Sequence, residues 1–395
     1  MTRQEALARQ ERRERQAVKE AESRELAKGP IDLPFFLLVL LLTAIGLIML
    51  FSASFPRAYY KDLNPAYYLI RQGVFAIMGI AAMMVISKIN YQRFRGLAKP
   101  LLMLSIVLLM LVLVPGIGQV RNNARRWIGI GELLTFQPSE IAKLGVVLYF
   151  ANDISRKKDK MQSFRYGILP YGIILMVIAG LMLMEPHLSG TVLILGTGAV
   201  IMLVGGINWG WVLGALGVAG GGLFLMLSGV ISYGGSRLAM WENPWLDARG
   251  DGYQMVQSLL AIGSGGLLGT GLGKSRQKFL FLPEEHNDFI FSIVCEELGL
   301  IGAALIMLLF AALILRGYWI ALHSRDRFGS LLVVGVITLV ALQVFLNIGV
   351  VTGLLPATGI SLPFFSYGGT ALSLQLAEMG IVLSVSRQMK PTKSG

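Results

Sequence analysis

Two short charged stretches in an otherwise apolar chain hold the residue types that could do acid–base and anion-binding chemistry. The first, "FLPEEHNDFIFSIVCEELGLIG" at 281–302, sets Glu284, Glu285, His286 and Asp288 ahead of an apolar run and Glu296 and Glu297 inside it. The second, "QPSEIAKLG" at 137–145, places Glu140 and Lys143 three residues apart, on one face of a helix. Charged groups at membrane depth are costly and rare, and they point to function by default. A carboxylate at the lip of a span can act as a general base. A buried lysine can meet an anionic substrate group or keep a carboxylate ionised; the structural alternative is a self-contained Glu140–Lys143 pair that locks two helices. Gln137-Pro138-Ser139 reads as a helix start, which puts Lys143 about 8 Å below the membrane boundary at helical rise.

The elements that must position these groups are membrane helices. Of 395 residues, 54% are hydrophobic and 15% charged, where a soluble chain carries roughly a quarter charged. Several apolar stretches approach the roughly 20 residues that cross a bilayer. The sequence predicts an all-α polytopic integral membrane protein of about ten transmembrane helices, at 33–52, 70–87, 100–114, 138–151, 167–184, 190–206, 211–231, 288–315, 328–352 and 369–386. Both termini then lie on one side. The segments 88–99, 152–166 and 316–327 and the end after Ser386 are rich in Lys and Arg, which marks that side as cytoplasmic. Outside lie the loops 53–69, 115–137 and a large extracytoplasmic loop, 232–287, between helices seven and eight. Residues 1–30 form a charged cytoplasmic tail, 31–388 the transmembrane domain and 389–395 a short cytoplasmic tail. The net charge of +12 is spread over short loops; it reads as a topology signal with attraction to anionic lipid, not as a nucleic-acid surface. The single cysteine, Cys295, falls in a span and reads as a small core residue.

Further polar groups fall at the outer level. Glu185 and His187 of "MEPHLSGT" lie at an outer turn, Asp288 caps the eighth span, and Arg125-Arg126-Trp127 precede Lys143. Chemistry therefore gathers near the outer leaflet, away from the midplane where transporters bind cargo. Three scattered histidines and one cysteine give no zinc spacing, and no G-x-S-x-G elbow is present. The run "GSGGLLGTGLG" at 263–273 is out of register with a dinucleotide fingerprint. The "KSRQK" after it sets Lys274, Arg276 and Lys278 at alternate positions, which suits a diphosphate grip or a solvated basic loop equally.

With "RRWI" (125–128), "QPSEIAK" (137–143), "SRQKFLFLPEEHNDFIFSIVCEELG" (275–299), "DRFGSLL" (326–332) and "NIGVVTGLLPATGISLPFFSYGG" (347–369), the chain resembles the SEDS family (shape, elongation, division and sporulation), which includes FtsW, RodA and SpoVE. The stretch from Asn243 to Phe279 is nearer the division and sporulation branch. The resemblance implies a peptidoglycan glycosyltransferase that polymerises lipid II at the outer face of the bacterial cytoplasmic membrane, with a class B penicillin-binding protein and other divisome proteins as partners. It carries the catalytic role to Asp288 and supporting roles to Trp127, Glu140 and Lys143, with Glu284, His286 and Ser366 as further supporting residues. Asn287 departs from the usual Thr, and "SYGGTA" from the common "SYGGSS". In that chemistry Asp288 takes a hydroxyl proton, Lys143 keeps Asp288 ionised or faces the leaving group, and Arg126, Arg276 and Lys278 contact the diphosphate, a role that Mg²⁺ could share. Glu296 and Glu297, deeper in the span, read as polar ties between helices. The competing readings are a lipid II flippase and a non-catalytic scaffold for the transpeptidase.

Overall fold

The computed structural model describes residues 29–61, 63–121, 124–130, 134–211, 214 and 241–389. Ten helices carry this part of the chain: α1 (Leu33–Tyr60), α2 (Tyr67–Lys88), α3 (Phe94–Leu113), α4 (Pro138–Lys157), α5 (Leu169–Met184), α6 (Leu188–Val204), α7 (Tyr253–Gly265), α8 (Ile290–Leu322), α9 (Arg327–Val351) and α10 (Gly369–Ser386). Among the described residues, seven helical stretches are long and apolar enough to cross a membrane, and α6 is a shorter apolar helix. The protein is a multi-pass helical membrane protein. The expected seventh span, 211–231, falls almost wholly outside the described residues.

Three departures from the sequence reading matter for the site. The loop 115–137 holds an antiparallel sheet, β1 (Gly118–Arg121), β2 (Ala124–Ile130) and β3 (Leu134–Phe136), in the order β1-β2-β3, so the fold is not purely helical. The large loop contains α7. Helix α1 runs on through Pro56 to Tyr60, about 42 Å at helical rise, which carries Arg57 beyond a hydrocarbon core of about 30 Å.

Helix α8 is broken at Gly299 (φ 67°, ψ −171°), and a break at this depth frees backbone groups that lipid cannot satisfy. The glycine-rich run supplies them. Thr270 N and Gly271 N donate to the carbonyls of Glu296 and Glu297 at 2.9 and 3.0 Å, while Leu300 N and Ile301 N donate to Gly266 O and Leu267 O at 2.9 and 3.1 Å. The backbones approach so closely that a Cβ on Gly299 would collide with Gly269 N. This knitting is what "GSGGLLGTGLG" does.

The acids beside the break complete the joint. Glu296 accepts from Ser275 Oγ (2.5 Å) and Arg276 N (2.8 Å). Glu297 accepts from Ser52 Oγ of α1 and from Lys278 Nζ, the latter at 2.9 Å, with both charges buried. Removing one partner of a buried ion pair costs about 3–5 kcal/mol, because the other charge stays buried alone. Lys278→Met is therefore expected to lower the thermal midpoint in detergent sharply, and adding Glu297→Gln to recover most of the loss.

Candidate active site

A cavity of about 700 Å³ opens at one end of the helix bundle. Its walls come from the C-terminal end of α1, the sheet, the first turns of α2, α4, α6 and α10, and the loops before α8 and α10. Its deepest lining residues, Leu339, Gln343 and Glu378, stand well inside α9 and α10, and none of its lining residues comes from the opposite end.

Asp288 is partly buried in this cavity. The helix behind it starts at Ile290 and has no side-chain cap; the expectation that Asp288 caps the span therefore fails, and its carboxylate is left for the cavity. Asn347 of α9 holds the peptide in place instead, donating from Nδ2 to Asp288 O at 2.7 Å and to Ile360 O at 2.6 Å. Gly359, at φ +65°, lets the facing loop lie against the carboxylate: a Cβ there would stand 3.2 Å from Asp288 Oδ2. Burial, and then the like charge of Glu284, push the Asp288 carboxyl up to about 6, while Arg126 pulls the other way.

The loop bearing Asp288 is pinned by its neighbours. Arg57 forms a two-point ion pair with the fully buried Glu285, Nε to Oε1 and Nη2 to Oε2 at 2.7 Å each. His286 packs on the rings of Tyr68 and Tyr367. Ser366 Oγ accepts from Leu362 N and donates to Asn287 O, both at 2.7 Å. Glu284 lines the cavity and accepts from Asn287 Nδ2 at 2.5 Å.

Across the cavity, α4 presents Lys143, 6% exposed, with its Nζ 2.7 Å from Glu140 Oε2. The helix begins at Pro138, where the sequence places it. Arg126 and Trp127 line the cavity from β2. The Arg126 guanidinium donates to Glu185 O at 3.2 Å and to Pro186 O, which ties the sheet to the turn between α5 and α6. In that turn burial pushes the Glu185 carboxyl up to about 8. Burial, with Arg126 and Lys143 adding their charge, lowers His187 to about 3, so its imidazole is neutral.

The structure thus brings together Asp288, Glu284, His286, Ser366, Arg126, Trp127, Glu140 and Lys143, and leaves two expected residues out. Lys278 is occupied by Glu297, and Arg276 is held through its backbone at Glu296; neither lines the cavity. Arg126 is a cation that draws the Asp288 carboxyl down against its burial, and Lys143 lines the same cavity. Glu378, on α10, was not singled out from the sequence, although the rule that drew attention to Lys143 applies equally to an acid in mid-span. Among the described residues no group of three or more His, Cys, Asp or Glu converges as metal ligands do, so the cavity offers a divalent ion no ready-made cage of side chains.

Comparison with known proteins identifies the family of the chain. The chain is 45% identical over 359 residues to the stage V sporulation protein E of Bacillus subtilis strain 168, covering 90% of this chain and 97% of that protein. It is 42% identical to the probable peptidoglycan glycosyltransferase FtsW of Geobacter metallireducens, covering 91% and 96%. Among solved structures, the rod shape determining protein RodA of Thermus thermophilus superposes with a TM-score of 0.68 at 30% identity, covering 92% and 99%. A chain from work on structural coordination of polymerization and crosslinking by a peptidoglycan synthase complex reaches 0.77 at 29% identity, covering 91% and 98%. The family FTSW_RODA_SPOVE, described as a cell cycle protein, matches residues 32–391. With its helical bundle and its cavity of facing carboxylates and cations, the chain belongs to the FTSW_RODA_SPOVE family.

Proposed function

We propose that this protein polymerises lipid II into glycan strands, joining sugars by a single inverting displacement. The observation that carries the reading is Asp288: a carboxylate in a cavity at one end of the bundle, held through its backbone with its side chain uncommitted, and facing cations on β2 and α4. A sugar 4-hydroxyl attacks the anomeric carbon of the donor. Asp288 accepts the hydroxyl proton, the new C–O bond forms, and the bond to undecaprenyl diphosphate breaks. Arg126 and Lys143 balance the charge that builds on the leaving diphosphate. Trp127 offers a flat face to a sugar or prenyl chain.

The basic residues support the orientation. Arg95, Arg156, Lys157, Arg165, Arg325, Arg327 and Arg387 lie at the end opposite the cavity, which by the positive-inside rule is cytoplasmic. The cavity then faces outward from the bacterial cytoplasmic membrane, where a class B penicillin-binding protein could take the new strand for cross-linking. The test is purified protein with lipid II, alone and with its transpeptidase partner, analysed for glycan chains. Polymer that disappears in Asp288→Asn supports the reading. Movement of labelled lipid II across vesicles with no polymer under any condition would replace it with a flippase.

A further inference from the structure

The deepest charged group of the cavity plays no part in the reaction above. Glu378 stands in the third turn of α10, about 13 Å beyond its first residue at helical rise, and is 7% exposed. It shares the cavity with Lys143, whose ion-pair partner at 2.7 Å is Glu140. Lys143 and Glu140, both on α4, line the same cavity, and α4 packs on α10. The other elements packed on α10 bring charge elsewhere. Helix α1 has Arg57 and α2 has Arg71 at the mouth; Lys88 of α2, Arg316 of α8 and Arg327 of α9 lie at the opposite end; Glu296 and Glu297 of α8 are tied to the loop 275–278. His187, ahead of α6, faces Lys143 and is neutral.

One ammonium therefore shares the cavity with two carboxylates. With all three ionised the group carries one excess negative charge, and unbalanced charge is expensive where water is scarce. A diphosphate brought to Lys143 adds to that excess. Neutralising Glu378 with a proton removes it, so anion binding and proton binding favour each other, and by linkage the coupling runs both ways.

We propose that Glu378 is a positioning residue that acts through Lys143: its proton sets whether the ammonium can meet a diphosphate, so that binding of the lipid-linked diphosphate takes up a proton at Glu378. The inference rests on the reading of Lys143 as a contact for the leaving group. No bond to carbon or phosphorus changes in this step; one proton moves from water to a carboxylate oxygen and returns when the diphosphate departs.

The experiment measures the affinity of the full chain in detergent for undecaprenyl diphosphate across about pH 6 to 9, and needs no turnover. For wild type, affinity falls with rising pH. In Glu378→Gln and Glu378→Ala, the slope of log affinity against pH is expected to be smaller by about one, the loss of one linked proton. Glu378→Asp keeps the charge and is expected to keep the slope. A wild-type slope in Glu378→Gln, or a flat profile in Glu378→Asp, overturns the proposal. A slope lost in Glu378→Gln while wild type makes no glycan would leave this inference standing and remove the polymerase reading. Polymer from wild type with an unchanged slope in Glu378→Gln would do the reverse.

Discussion

Asp288→Asn is expected to lower the rate of glycan polymerisation by about 10²- to 10⁴-fold, the usual contribution of a positioned general base, with little change in folding. The second half of that expectation follows from how the site is held. Asn347 fixes the peptide carbonyl of Asp288 and not its carboxylate, so an amide of the same shape leaves the loop intact. Thermal midpoints of the two proteins should agree while their activities do not; a variant that polymerises as well as wild type removes Asp288 from the mechanism. The pH profile offers a second check. Burial and Glu284 hold the Asp288 carboxyl protonated up to about 6, and a base must be ionised to accept a proton. The rate should therefore rise with pH through about 6 and level off above it. Glu284→Gln takes away the like charge and should move that limb to lower pH. Arg126→Met takes away the opposing cation and should move it higher, besides its own loss of charge balance. A limb that ignores both substitutions belongs to another group.

What the sequence disclosed about this site depended on contrast. Asp288, Glu140 and Lys143 stood out because a charge in an apolar run has few structural excuses, and the motifs around them fixed the family. The failures share a cause as well. Lys274, Arg276 and Lys278 alternate in sequence, but alternation does not say which carboxylate lies within reach. The partner of Lys278 is Glu297, across a helix break that is created by one glycine and mended by a loop thirty residues earlier. The sheet β1–β3 was missed because its strands are short and interrupted, and α7 because its thirteen residues are too few for a span and too apolar for an obvious loop helix. Glu378 lies in no motif, and Lys143, with which it shares the cavity, is 235 residues away in the chain. The general shape, a helical bundle with charge at one end, was legible because bilayer thickness constrains it. Partner choice inside the bundle was not, because it is set by contacts between residues far apart in the chain.

Lys143→Met is expected to lower polymerisation by about 10²- to 10³-fold, the range for removing one preorganised group that stabilises developing charge. That single variant cannot distinguish a catalytic cation from a helix lock, since it also strands Glu140, whose Oε2 lies 2.7 Å from the lysine nitrogen. The double variant Glu140→Gln/Lys143→Met separates the two. It leaves neither charge unpaired, so any stability lost in the single variant should return. If Lys143 meets the diphosphate, activity stays low although the protein is again as stable as wild type. If the pair only steadies α4, activity returns along with stability. Glu140→Gln alone completes the cycle: Lys143 keeps its charge and Glu378 remains near it, so polymerisation should fall much less than in Lys143→Met. Geometry favours the catalytic outcome. Lys143 lines the cavity together with Asp288, Arg126 and Glu378, and an ion pair needed only to steady α4 would have no reason to line it.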